Sequence, residues 1–276
     1  MLRLSDNDDH AFCAGRRLPV LWQHCSVAHG DEQKKTERGR PRSGTTQRPD
    51  LSAAAQILDA AAHLFVERGF SATSTRAIAD EVGIRQASLY YHFASKERIL
   101  HDLLMRTVEP STRAATDIAA APETSEARLY ALIDFDTRQL FLAGHNIGSL
   151  YLLPEIRNEL FASFRQERQS LRAIYAALIA ESIAPATRVE LGPARDFAGK
   201  SPIDYLGDVV FGMVESVIAI RADNPHDDAS VLVPTIARSC LRVLGHSGVE
   251  IDQISERAAA IGRRLSADAG LGATTA

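Results

Sequence analysis

Apolar residues recur every three or four positions along most of the chain, and few stretches alternate with the period of two expected of a strand. From Ser52 to Arg68, Ile57, Ala61, Leu64 and Phe65 share one helical face; Ser52 can cap its start and Gly69 can end it. A short helix after Thr73 or Ser74 buries Ile78, Ala79 and Val82 and stops at Gly83, which tolerates the left-handed backbone of a tight turn. A third spans about Arg85 to His92, with Leu89, Phe93 and part of Ala87 inward. Ser95 caps a fourth that turns Ile99, Leu103 and Leu104 inward and runs to about Val108, where Pro110 closes the unit.

The same period continues beyond. A helix over 125–143 places Leu129, Leu132, Ile133 and Leu140 inside, and Gly144 interrupts it. A short helix at 147–153 precedes Pro154, and a long one over 155–182 carries Ile156, Leu160, Phe164, Leu171, Ile174, Tyr175 and Leu178. Prolines and glycines in 184–200 predict a loop. Ser201, Pro202 and Asp204 form a cap, an N1 proline and an N3 acid for a helix to about Ala222. Helices over 228–244 and 250–265 complete an all-α chain.

Four regions follow: an extension, 1–50, expected to be disordered; a three-helix unit with its connecting helix, 51–108; a helical body, 120–266; and an unstructured tail, 267–276. Residues 34–50 hold six cationic side chains against Glu37 and Asp50, net +4, among residues that oppose helix. They form a basic arm, either a solvated linker or a contact to phosphate and minor groove; the helices that follow favour the second.

The net charge of −4 shows that any affinity for nucleic acid must be local. No apolar run approaches the roughly 20 residues of a membrane-spanning helix, and the N-terminus lacks the pattern of a secretory signal. Cys13, Cys25 and Cys240 are too few for a disulfide framework, so a reducing, cytoplasmic setting is the simplest reading. His10, Cys13, His24, Cys25 and His29 fit no zinc spacing, and no metal or cofactor is expected.

The helix ending in LFVERGF (Leu64 to Phe70), the TSTRAIA opening of the second helix, the Val82-Gly83-Ile84 turn and the LYYHFASKE run (Leu89 to Glu97) occur in order. Together they resemble the helix-turn-helix DNA-binding domain of TetR-family transcriptional regulators. The resemblance implies an all-α fold in which this N-terminal domain is followed by a helical ligand-binding and dimerisation domain. It implies that Arg76, Gln86, Ala87, Ser88 and Tyr90 face the major groove, where Arg76 or Arg85 can reach guanine, and that Tyr91, His92 and Lys96 approach phosphate. Arg40, Arg42 and Arg48 would supply the arm's contacts. Packing on the first helix is the alternative for Tyr90 and Tyr91, and a helix-end hydrogen bond for His92. Charges within 51–106 balance six against six, so placement of the cations matters more than their number.

A homodimer is expected, because one such unit reads too few base pairs for specific affinity. The helix from Pro202 is apolar on two sides and would join 228–244 in a four-helix interface through Leu206, Val210, Met213, Val217, Ile236, Cys240 and Leu244. Cys240 reads as a small buried hydrophobe. By the resemblance, the middle helices line an effector pocket, with Phe135, Leu142, His145, Tyr151, Phe161, Phe164, Tyr175 and Phe211 as candidates. Few charges fall at inner positions, so the effector is expected to be small and apolar or weakly polar. It would shift the fourth helix, the expected sole rigid link between reading head and body. Partners are thus double-stranded operator DNA, a small molecule and a second copy, with release of DNA on ligand binding. Activation instead of repression is an open alternative. An enzyme is disfavoured: no nucleophile, metal or phosphate-loop motif occurs, and Asp134 and Asp136 stand two apart on a helix, facing different ways.

Overall fold

Side-chain oxygens set where most of the helices begin. In the computed structural model, which describes residues 51–196 and 198–271, Ser52 accepts from Ala55 N at the start of α1 (Ala53–Arg68). Ser74 accepts from Ala77 N at α2 (Thr75–Val82), and Ser95 from Arg98 N at α4 (Lys96–Ala119). Thr124 caps α5 (Ser125–Leu142) and Asp228 caps α9 (Ala229–Val243). Ser201 and Asp204 form a reciprocal capping box on α8 (Pro202–Asp223). Such caps satisfy donors that the first helical turn leaves orphaned, each worth about 1 kcal/mol. Among the described residues there is no strand.

Gly83, at φ 73° and ψ 33°, turns the chain between α2 and α3 (Gln86–His92), its N–H reaching back to Ala79 and Asp80 carbonyls. Leu89 is the buried anchor of α3, joined in one core by Ile57, Phe65, Ile78 and Leu104. Burying a leucine fully is worth about 1.5–3 kcal/mol, so α3 is held by its neighbours more than by its own seven residues.

Several expectations change. The fourth helix does not end at Pro110: α4 runs through it to Ala119. The proline removes one N–H and costs about 3 kcal/mol, offset by burial of Ser111, Ala114, Ala115 and Ile118 beyond it. The boundary at 108 therefore lies inside one continuous rod. The long helix expected from Glu155 starts only at Ala162 (α6, Ala162–Ser182); before it come 3-10 turns at Pro154–Arg157 and Glu159–Phe161. Asn158 separates them with extended backbone, its side chain accepting from Leu160 N and so competing with the helical bond. The expected loop at 184–200 contains α7 (Pro185–Leu191), where proline serves as the first helical residue. Finally, α10 (Gly248–Leu271) passes its expected end at 265 and enters the expected unstructured tail.

The basic arm (Arg40, Arg42 and Arg48), the rest of 1–50 with its His and Cys residues, and 272–276 lie outside the described residues. In the body, α5 is central, packing against α4, α6, α8, α9 and α10 with Leu129, Leu132 and Ile133 fully buried. Between α5 and α6 the chain forms a 3-10 segment, Gly144–Leu152, instead of the expected helix at 147–153.

Candidate nucleic-acid interface and interior cavity

On α3, every side chain but Leu89 is exposed, and so is Arg85 just before it. Tyr91 is 86% exposed and stands clear of the core, whereas Tyr90 is 48% exposed. Ala87, expected to be partly buried, is exposed as well. Arg76 is also at the surface, within 3.9 Å of Asp80 one turn on.

A residue that the sequence did not single out organises this face. Thr75, the first residue of α2, receives a 2.9 Å hydrogen bond from Gln86 Nε2, and its hydroxyl lies 3.1 Å from the Tyr90 hydroxyl. Gln86 and Tyr90 are thereby held at one point. The Gln86 carbonyl and its second amide proton are still available for the paired contacts that glutamine makes to adenine. Beside them opens a cleft of about 410 Å³ lined by Ser71, Thr73, Ser74, Thr75, Tyr90, Ser95 and Lys96 among others. The N-termini of α2 and α4 meet there, and such termini with hydroxyls around them favour phosphate.

Lys96, expected to touch phosphate, has a different first task. Its ammonium donates to the Phe70 and Thr73 carbonyls at 2.8 and 2.9 Å and stands 4.2 Å from the Phe70 ring centroid. It braces the corner between α1 and α2.

The family model of bacterial regulatory proteins, tetR family, matches residues 57–103, which contain this whole face. The crystal structure of Mycobacterium smegmatis AmtR is 40% identical, covering 80% of this chain and 98% of that one, with a TM-score of 0.67. The chain belongs to the TetR family. It is an all-α DNA-binding transcriptional regulator, similar over 194 residues to the transcriptional repressor KstR2 of Rhodococcus jostii at 28% identity, spanning 68% of this chain and 87% of the relative. The structure of the ketosteroid transcriptional regulator KstR2 of Mycobacterium tuberculosis, 23% identical with a TM-score of 0.56, shares the fold. These relatives are regulators, not enzymes. Among the described residues of this TetR-family chain, no helix is long and apolar enough to cross a membrane.

Inside the body, the expected pocket residues divide. Tyr151 and Phe211 line a narrow cavity with free volume of about 10 Å³, barely enough for one water. Phe164 packs on Tyr151, and Tyr175 packs edge-on against Phe211. Phe135 and Phe161 belong to the surrounding core, and Leu142 points outward at 59% exposure. His145 does not line the cavity either. Its Nε2 lies 3.1 Å from Asp59 Oδ1 on α1, so it joins the body to the reading head.

Charges do occupy inner positions, contrary to expectation. Thr107 and Ser111 from α4, Asp136 from α5, Arg168 from α6 and Glu215 from α8 all line the cavity. Asp136 accepts from Ser111 at 2.5 Å and from Tyr175 at 3.2 Å. Burial, partly countered by these two hydrogen bonds, pushes its carboxyl up to about 6. Tyr151 donates to Thr107 at 2.7 Å, and burial carries its phenol well above the usual range. Arg168 pairs with Glu215, its guanidinium 5.1 and 5.6 Å from the Tyr151 and Phe211 ring centroids. Asp134 takes no part; it pairs with Arg138 at 3.1 Å.

Of the expected dimer residues, Val210, Val217, Ile236, Cys240 and Leu244 are buried within the single chain. They pack in the subunit's own core, whereas Leu206 and Met213 are partly exposed. Outward on these helices are Tyr205, Val209 and Gly212 on α8, spaced four and three apart, and Val231 and Thr235 on α9. Burial pushes the Cys240 thiol up to about 12, leaving almost no thiolate at neutral pH, as suits a small hydrophobe.

Proposed function

We propose that the chain is a homodimeric repressor that grips a two-fold symmetric operator and releases it when a small molecule enters the body. The observation that carries the operator reading is the α3 face, where one buried leucine leaves every other side chain outward beside a hydroxyl-rich cleft. Gln86, Tyr90, Arg76, Arg85, Ala87 and Ser88 read base edges; Tyr91, His92 and the cleft seat phosphates. The outward faces of α8 and α9 form the dimer. That spaces two heads for half-sites roughly 34 Å apart or a multiple of this. The naming of the KstR2 relatives as repressors supports the sign of the response.

The signal has two routes to the head instead of one. The first is α4, a single rod from the head's Ser95 cap to Thr107 and Ser111 at the cavity. The second is the Gly144–Leu152 segment. Its Tyr151 binds Thr107, its Asn146 donates to the Ile218 carbonyl of α8 at 2.9 Å, and its His145 meets Asp59. His145 and Asn146 both have left-handed backbone, at φ 57° and 50°, which is costly without glycine. Movement at the cavity thereby tilts the head, and a coupling of about 1–3 kcal/mol gives a 5- to 150-fold change in operator affinity.

Selection of bound sequences from random duplexes tests this reading. The expected product is an inverted repeat bound by a dimer, with affinity falling steeply with salt as counterions are released. Indifference to all duplexes at low ionic strength, or a stable monomer, overturns it.

A further inference from the structure

The hydrogen-bond capacity of the cavity restricts what can enter it. Each hydroxyl proton on the lining already has an acceptor. Tyr151 donates to Thr107, Thr107 to the Leu104 carbonyl at 2.6 Å, and Ser111 to Asp136. Tyr175 spends its proton on Asp136 as well. The spare capacity lies with acceptors. Asp136 has two donors against roughly four lone-pair sites, and the Arg168 contact accounts for one Glu215 oxygen.

Charge points the same way, since two carboxylates face one guanidinium. The position between the Tyr151 and Phe211 rings already holds a cation, the Arg168 guanidinium. Aromatic faces attract cations most strongly when water is excluded. Arg168 reaches this position from a side chain that is 25% exposed, so it can swing out to solvent. With free volume of about 10 Å³, an entering group is limited mainly to the space a guanidinium vacates.

We propose that this cavity binds a small cation with several N–H donors, of the alkylammonium or guanidinium type, which displaces Arg168 and donates hydrogen bonds to Asp136 and Glu215. That the cation acts as effector rests on the repressor reading above; that it binds does not. The entering N–H groups donate to carboxylates on α5 and α8, and its bulk presses on Tyr151 and Ser111, one on each route to the head. The expected apolar ligand is disfavoured, because in the place of Arg168 it would leave Glu215 without its partner, and burying unpaired charge is costly.

Calorimetric titration of the full chain with methylguanidinium and n-propylammonium chlorides, against sodium propionate and 1-propanol at equal ionic strength, decides the point. Both cations are expected to bind saturably. Asp136→Asn and Glu215→Gln should each weaken them about tenfold, the loss of one charge-assisted hydrogen bond; the second variant serves if the first fails to fold. Saturable binding of propionate alone would assign the cavity to anions through Arg168. That result, cation binding indifferent to both substitutions, or no saturable binding of either cation overturns the proposal. Duplex selection without any ligand reports on the operator reading separately.

Discussion

His145 Nε2 and Asp59 Oδ1 lie 3.1 Å apart although 86 positions separate them in sequence. One belongs to the turn that leaves α5, the other to the first helix of the reading head. His63 stands near the same contact, its ring centroid 5.6 Å from that of His145. Beside the continuous α4, this contact ties the head to the body, and it does so from a left-handed backbone position.

Removing this contact should loosen the head while leaving the body intact. His145→Ala is expected to speed amide hydrogen exchange in α1 to α3 about tenfold, with little change in α5 or α9. His145→Gly loses the same contact but relieves the backbone. It should be more stable than the alanine variant by about 1 kcal/mol in denaturant titration. Equal stability of the two would show that the left-handed turn stores no strain.

Gln86→Ala should relax discrimination at one base pair of each half-site, at a cost of about 1–3 kcal/mol, with the salt dependence of binding unchanged. Thr75→Val should weaken the same discrimination more mildly, because Gln86 loses its anchor. Both are read by titrating operator variants at fixed salt.

The pH dependence of folding should carry the mark of Asp136. Its folded carboxyl is held at about 6 against an unfolded value near 4, so the native chain binds the extra proton between them. Stability therefore falls as pH rises from about 4 to 6, by about 3 kcal/mol for two units. Asp136→Asn should flatten that part of the profile in urea titrations at several pH values. An unchanged slope would place the titration elsewhere.

Two aspartate substitutions on α8 should separate dimerisation from folding. Val209→Asp, on the outward face, is expected to yield folded monomers in sedimentation. Val217→Asp buries an unpaired charge and should abolish folding. A folded dimer from the first would remove α8 from the interface.

Much of the head was legible because its signals are local. The caps Ser52, Ser74 and Ser95 and the glycine after Val82 act within one turn of where they stand. The interior cavity was legible only in part, yet its register was present. Asp136 falls four residues from both Leu132 and Leu140, Arg168 four from Phe164, and Glu215 four from Phe211, so each lies on an apolar stripe. Polar residues on such stripes are informative because burying them is costly unless they are paired. Several residues expected at a dimer face turned out to be buried in the subunit's own core for the opposite reason: on a helix apolar on both sides, periodicity cannot say which side meets its own subunit.

From the amino-acid order alone came the helical period, most helix starts and the outward polar face of α3, all governed by interactions within a few residues. The tertiary structure decided that Pro110 lies inside a helix, that Tyr151, Asp136, Arg168 and Glu215 meet, and that His145 reaches Asp59. Those outcomes depend on packing between segments tens of residues apart, where the energy of burial outweighs local preference and no nearby residue announces the partner.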